Sequence, residues 1–161
     1  MDTRELRFTV EELLHAYVRC IDSDRLEEWP EFFTDPCVYE VMPRENAEQG
    51  LPIAMMYCDS RGMLRDRVVA QRKANIYAPH GYRHLLSAVS VTGYADGAAS
   101  VHANYAVYRT FFDAVHYGHS ELFSVGEYRD TIVFENGVAK FREKRVLVDT
   151  ARILSLLVTP L

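Results

Sequence analysis

Between Arg83 and Asp149 the chain reads as four long strands joined by three turns, with apolar residues falling at alternate positions of the second and third. Ala99, Val101, Ala103, Tyr105 and Val107 fall on one face of a strand. Further on, Leu122, Ser124, Gly126 and Tyr128 share one face, and Glu121, Phe123, Val125, Glu127 and Arg129 the other. A period of two marks a strand with one face covered. Asp96-Gly97 and Asn136-Gly137 supply the residues that tolerate positive φ, which tight hairpin turns require. Asp113 to Gly118 supplies a third reversal. The pattern predicts four long consecutive antiparallel strands, each reaching ~35–40 Å at about 3.3 Å per residue. A sheet of that size twists and curls, and its apolar face needs a cover.

Upstream the period becomes helical. Val10, Leu13, Leu14, Tyr17, Val18 and Ile21 form one stripe. Thr9 and Glu12 are spaced as a capping box, and Phe8 and Leu13 sit where a hydrophobic staple would, so the predicted start is Thr9. Asp22-Ser23-Asp24 ends this helix and can cap a shorter piece, Arg25 to Trp29; Pro30 can open a further turn toward Phe32 and Phe33. Cys37 to Met42 and Ile53 to Cys58 read as two short paired strands around a polar loop, Pro43 to Pro52. Asp59 or Ser60 caps a helix running to about Asn75, with Met63, Leu64, Arg67, Val68 and Gln71 on one side. The tail, Arg152 to Leu161, is mostly apolar and is expected to pack on its own domain or on a neighbour. No repeat, low-complexity segment or linker interrupts the chain, which reads as a single domain over 1–161. Early helices covering one face of a curved antiparallel sheet make an α+β cone with a pocket at its mouth.

Composition changes this picture little. A chain of 161 residues buries a sufficient core without disulfides or metals. The net charge of −5 argues against a nucleic-acid or anionic-membrane partner. The three cysteines lack CxxC spacing and read as reduced thiols. The first residues are charged, without an apolar signal core, and no apolar run approaches the ~20 residues that span a bilayer, so the expected location is cytoplasmic. The charges are unevenly spread. From Asp22 to Glu48 there are nine acids and two arginines, whereas Arg61, Arg65, Arg67, Arg72 and Lys73 face a single acid, Asp66. Such runs are first of all solvated faces, and second, docking surfaces.

Candidate chemistry is sparse. His116 and His119 have metal-like spacing beside Asp113 but lie in the predicted reversal; His80 and His84 are separated by Gly81. No Cys has a His one or two positions on, as each pair of Rieske ligands requires. Nucleophile elbows and glycine-rich phosphate loops are missing. For proton transfer the best set is Asp24, Tyr39, His84 and His102, with the two histidines expected nearly level on neighbouring strands. These would serve a stand-alone isomerase or dehydratase, or a module that binds an aromatic ligand. Arg109, Glu127, Arg129, Glu143 and Arg145 read as a cross-strand ion-pair network.

Four stretches carry a resemblance: Glu12 to Tyr17 with Ile21 to Asp24 and Trp29 to Phe33; Asp59 to Val68; Tyr82 to Ser87; and Val148 to Thr150 with Leu156, Leu157 and Thr159 to Leu161. In order and spacing they resemble the small (beta) subunit of aromatic-ring-hydroxylating dioxygenases, the Rieske non-haem iron oxygenases. Ile21 to Asp24, Trp29 to Phe33 and Ala74 to Tyr77 look most like subunits acting on terephthalate and related aromatic carboxylates. The resemblance implies a nuclear-transport-factor-2-like (cystatin-like) cone with no cofactor and no catalytic residue of its own. It places the Rieske 2Fe-2S cluster and the mononuclear Fe(II) on a partner large (alpha) subunit. It also implies a trimer of small chains within a hexamer of three large and three small chains, holding the large subunits in register. The interface candidates are the acidic stretch, the basic helix, the tail, and within or beside them Arg61, Arg65, Arg67, Arg83 and Asp149.

Overall fold

The long strands form where the alternation places them. The computed structural model describes residues 2–116, 118–150 and 157–161. In chain order the elements are α1 (Thr3–Asp22), a 3₁₀ turn (Trp29–Phe32), β1 (Phe33–Pro43), α2 (Arg44–Glu48), β2 (Met56–Cys58), α3 (Arg61–Lys73), β3 (His80–Ala95), β4 (Ala98–Phe111), β5 (Ser120–Glu135) and β6 (Val138–Val148). Six strands make one sheet in the order β2-β1-β6-β5-β4-β3. At both two-residue hairpins the pair of turn residues has positive φ, 51° and 74° at Asp96-Gly97 and 52° and 81° at Asn136-Gly137. That handedness matches the twist of the flanking strands.

The sheet is mixed, not wholly antiparallel as expected. β1 lies parallel to β6, while β2 pairs antiparallel with β1 at Tyr39↔Cys58. β1 comes from the helical half of the chain and β6 from the end of the meander, so no hairpin constrains their relative direction.

The odd residues of β4, Ala99 to Val107, are all buried. On β5, Ser124, Gly126 and Tyr128 are buried as expected, but Leu122 is exposed. The register slips between Val107↔Ser124 and Tyr108↔Leu122. This bulge turns Phe123 inward instead, where its ring centroid lies 5.2 Å from that of Tyr82.

The helices cover the inner face. α1 begins at Thr3, six positions before the capping box, because Leu6 extends the buried stripe by one turn. Thr9 sits inside the helix, its hydroxyl donating to the Glu5 carbonyl at 2.9 Å. The piece expected over Arg25 to Trp29 is a series of hydrogen-bonded turns leading into the 3₁₀ turn, and α2 occupies the expected loop after Pro43. α3 is capped by Ser60, whose hydroxyl accepts from the Met63 N–H at 3.3 Å, and it buries Leu64, Val68 and Gln71.

Under the helices Tyr17, Trp29, Phe33, Tyr39 and Phe141 pack mostly edge to face, with centroids 5.0 to 6.2 Å apart. The end of the tail docks on this cluster, on its own domain. The Leu161 N–H donates to the Tyr39 hydroxyl at 2.9 Å, and the Tyr17 hydroxyl donates to the Leu161 backbone oxygen at 2.8 Å. Arg152 to Leu156 of the expected tail lie outside the described residues. Tyr39→Phe leaves the buried Leu161 N–H unpaired and is expected to lower unfolding free energy by about 1–3 kcal/mol. Urea denaturation checks this; an unchanged midpoint would show that the tail is not held here.

Candidate functional site

At the mouth of the cone the C-terminal ends of α1 and α3 meet the start of β3 around a cleft of about 750 Å³. Arg72 ties the two helix ends together. Its guanidinium donates to both Asp24 oxygens at 2.9 and 2.8 Å, to the Asp24 carbonyl at 2.8 Å and to Glu27 at 2.8 Å. Arg61 and Arg65 both pair with Glu31. The hydrogen bonds from Arg72 and Arg61 hold the Glu27 and Glu31 carboxyls below the usual range. The acidic stretch and the basic helix, expected first as solvated faces and second as docking surfaces, face one another, with Asp24, Glu27 and Glu31 paired to Arg61, Arg65 and Arg72. Of the interface candidates, Asp149 is bound by Arg44 at 2.7 Å, while Arg67 and Arg83 have no ion-pair partner among the described residues. The expected cross-strand network forms only in part: Arg109 of β4 pairs with Glu121 of β5 and Arg145 of β6 with Glu40 of β1, whereas Arg129 with Glu127 and Arg145 with Glu143 pair within one strand.

The four residues proposed for proton transfer are dispersed. Asp24 is at the surface on Arg72. Tyr39 is in the core, its phenol pushed up by burial. His84 pairs with Val107 on the inner face, whereas His102 pairs with Ser90, its ring half exposed and 3.4 Å from Glu127. A turn centred on Asp96-Gly97 puts the partner of His102 near position 91, so the two histidines were never level.

His84 does have a carboxylate partner, and it is Asp22. The Asp22 oxygens accept from the His84 backbone N–H at 3.0 and 3.2 Å and from Nδ1 at 2.6 Å. With the proton on Nδ1, Nε2 is an acceptor; it is buried and has no partner among the described residues. A histidine so oriented can take a proton from a ligand that reaches Nε2. The signal for Asp22 was its place one turn after Val18 on the buried stripe of α1.

Sequence reasoning also missed a buried ion pair. Lys144 Nζ lies 3.1 Å from Asp130 Oδ2, with neither side chain exposed. The ammonium also sits 3.5 Å from the Tyr128 ring centroid, 4.5 Å from that of Tyr17 and 4.7 Å from that of Phe141. The clue was phase: Asp130 falls between Tyr128 and Ile132, and Lys144 is in step with Val146 and Val148. Burial outweighs the mutual attraction, pushing Asp130 up to about 6 and Lys144 down.

No group of three or more His, Cys, Asp or Glu side chains among the described residues is placed to hold a metal. His116 Nδ1 instead bonds Asp113 at 3.0 Å within the reversal. Cys20, Cys37 and Cys58 are free and buried, burial raises their thiols to about 11, and none has a His one or two positions on, as each pair of Rieske ligands requires. The donor set on this chain does not fit a Rieske cluster.

The SnoaL-like domain family matches residues 2–145. The chain is 42% identical over 154 residues to the anthranilate 1,2-dioxygenase small subunit of Burkholderia cepacia, an alignment covering 96% of this chain and 93% of the relative. The chain belongs to the small-subunit family of aromatic-ring dioxygenases. This small subunit is also 37% identical to subunit beta 2 of the terminal oxygenase component of terephthalate 1,2-dioxygenase from Comamonas sp., with 91% and 92% of the two chains covered. A solved chain from Novosphingobium aromaticivorans, provisionally assigned as the beta subunit of an aromatic-ring-hydroxylating dioxygenase, superposes at a TM-score of 0.87. It is 40% identical, and the superposition covers 98% of each chain. The small-subunit fold is thus the SnoaL-like, nuclear-transport-factor-2-like cone.

The buried pair gives a pH signature. Asp130 titrates near 3.8 when unfolded and near about 6 when folded, so its stabilising contribution is full below the lower value and lost as pH rises through the upper one. The stability of the natural chain relative to Asp130→Asn is expected to fall between about pH 4 and about pH 7. Urea midpoints across that range test it; a difference that stays flat or rises contradicts it.

Proposed function

We propose that this small subunit is the non-catalytic assembly component of a multicomponent ring-hydroxylating dioxygenase. In this reading a large subunit carries the Rieske cluster and the mononuclear iron. Three small chains form a trimer that holds three large chains, so that electrons pass between neighbouring large subunits. The complex adds both atoms of O₂ to an aromatic ring as a cis-diol, with two electrons from NAD(P)H delivered by a reductase and two protons from water. We place it in the cytoplasm, where NAD(P)H is available.

The observation that carries this is the 42% identity to a dioxygenase small subunit over nearly the whole chain. The packing of this chain supports the same reading. Tyr39 is engaged by Leu161, Lys144 by Asp130, and Asp24 by Arg72, so groups that could do chemistry serve the fold. Anthranilate and terephthalate, the names carried by two relatives, are both aromatic carboxylates, which supports a carboxylated arene as substrate. Arg67 and Arg83, unpaired among the described residues, are the cations we assign to contacts with other subunits.

Co-expression with a candidate large subunit tests the assignment. The expected product is a brown complex with the two chains in equal amounts, and a colourless oligomer when the small subunit is made alone. A large subunit that assembles and turns over fully without this chain would overturn it.

A further inference from the structure

The helices cover the inner face of the sheet and leave the β3–β5 part of the outer face open. There Leu85, Ala106 and Val125 lie in one row across the three strands, and Tyr108 and Leu122 in the row beside it. Leu85, Tyr108 and Leu122 are each about half exposed. Leu122 is on this face because the bulge between β4 and β5 turns it out of the core. A bulge that re-aims a leucine into solvent forfeits its burial unless something covers it. Polar residues frame the patch. Thr110 and Ser120, their hydroxyls 2.8 Å apart, lie beyond the Tyr108 row, and Ser87, Asn104 and Glu127 beyond the Leu85 row. An apolar centre with a polar rim is the anatomy of a protein interface. Arg83, in register with Tyr108, stands at the edge with no ion-pair partner among the described residues.

The opposite end of the sheet carries a second surface of this kind. Leu51 and Ile53, on the loop after α2, and Tyr57 of β2 are exposed. Leu51 reaches the outer face, where it lines a cleft with Glu40 of β1 and Leu147 of β6, and Tyr57 is in register with Glu40. The free charges here are acidic: Glu48 and Asp59 are exposed, and neither has an ion-pair partner among the described residues. One surface thus joins apolar area to an unpaired cation, and the other joins apolar area to unpaired carboxylates. They lie at the two ends of the strand order β2-β1-β6-β5-β4-β3, so one molecule cannot bring them together and two can. Contacts between unlike patches run head to tail, and they close into a ring when the rotation per copy permits. A ring covers both surfaces on every copy.

We propose that the patch centred on Leu85 and Leu122 of one small chain receives the loop carrying Leu51 and Ile53 of the next, with Arg83 set against Glu48 of the neighbouring copy. The occupant is a second copy of this chain. That three contacts close the ring rests on the assembly reading above; the choice of surfaces rests on their exposure and charge.

The test is sedimentation velocity of the full small subunit made without a large subunit. The natural chain should sediment as three copies. Leu122→Lys and Ile53→Lys each put a charge into one half of the contact and should each raise the midpoint concentration for dissociation at least about tenfold. Arg83→Glu and Glu48→Arg should each raise it about three- to tenfold, and the double variant should return to within about threefold of the natural chain. All four positions are exposed, and the charge exchange decides the matter even if a lysine variant fails to fold. A natural chain that stays monomeric, a ring that the lysine variants leave intact, or charge changes that do not compensate would each overturn the proposal. So would lysine variants that keep the ring and lose binding to a large subunit, because the large subunit would then be what covers the patch. Failure of the assembly reading shows separately, as a large subunit that assembles and turns over without this chain.

Discussion

The inner face of the long meander must be closed by something other than the sheet, and α1, the 3₁₀ turn and β1 meet that need. The closure is aromatic. Tyr17 from α1, Trp29 from the 3₁₀ turn, Phe33 and Tyr39 from β1 and Phe141 from β6 pack edge to face, and the end of the chain seals them through Leu161. Lys144 lies beneath this cover, sandwiched between rings and paired with Asp130. A buried ion pair is a poor source of stability, because desolvation offsets the attraction. What it does supply is direction, since breaking it leaves a charge with nowhere to go. The strands that carry Asp130 and Lys144, β5 and β6, are held in one register.

The same closure bears on function. A fold of this kind hosts unrelated activities, so function has to be argued from the site. Here the interior is filled by the chain's own side chains, and the opposed charges of Asp24 and Arg72 line the cleft at the mouth. Arg72 spans from one helix end to the other, and Arg61 and Arg65 converge on Glu31. Each such exposed pair is worth little alone, but together they tie α3 to the segment that joins α1 to β1. A stiff block of this form suits a subunit that holds others in place. The Asp22–His84 pair retains the geometry of a general base, though none of the other residues first proposed for proton transfer reaches it.

Legibility in the sequence followed the physics of each feature. The turns at Asp96-Gly97 and Asn136-Gly137 and the buried face of β4 were readable because they depend on local φ preference and a period of two. The outward turn of Leu122 was not, because a bulge inserts a residue without any mark in composition. The start of α1 was misplaced because Thr9 and Glu12 satisfy a capping pattern that the stripe through Leu6 overrides. The contact between His84 and Asp22 is not legible in the sequence, because which acid at the end of α1 meets β3 depends on tertiary packing. Lys144 and Asp130 were in phase with the core but were charged, and polarity hid them.

The fold depends most on its interior being closed by the chain itself. Trp29 is the sole tryptophan, fully buried and packed 5.0 Å from Tyr39, the residue that holds Leu161. Acrylamide quenching of its fluorescence reports that closure directly. The natural chain should be quenched several-fold more slowly than free indole, and removal of residues 157–161 should abolish most of that protection. Quenching of the natural chain as fast as that of free indole would mean that the cone is open and the account is wrong.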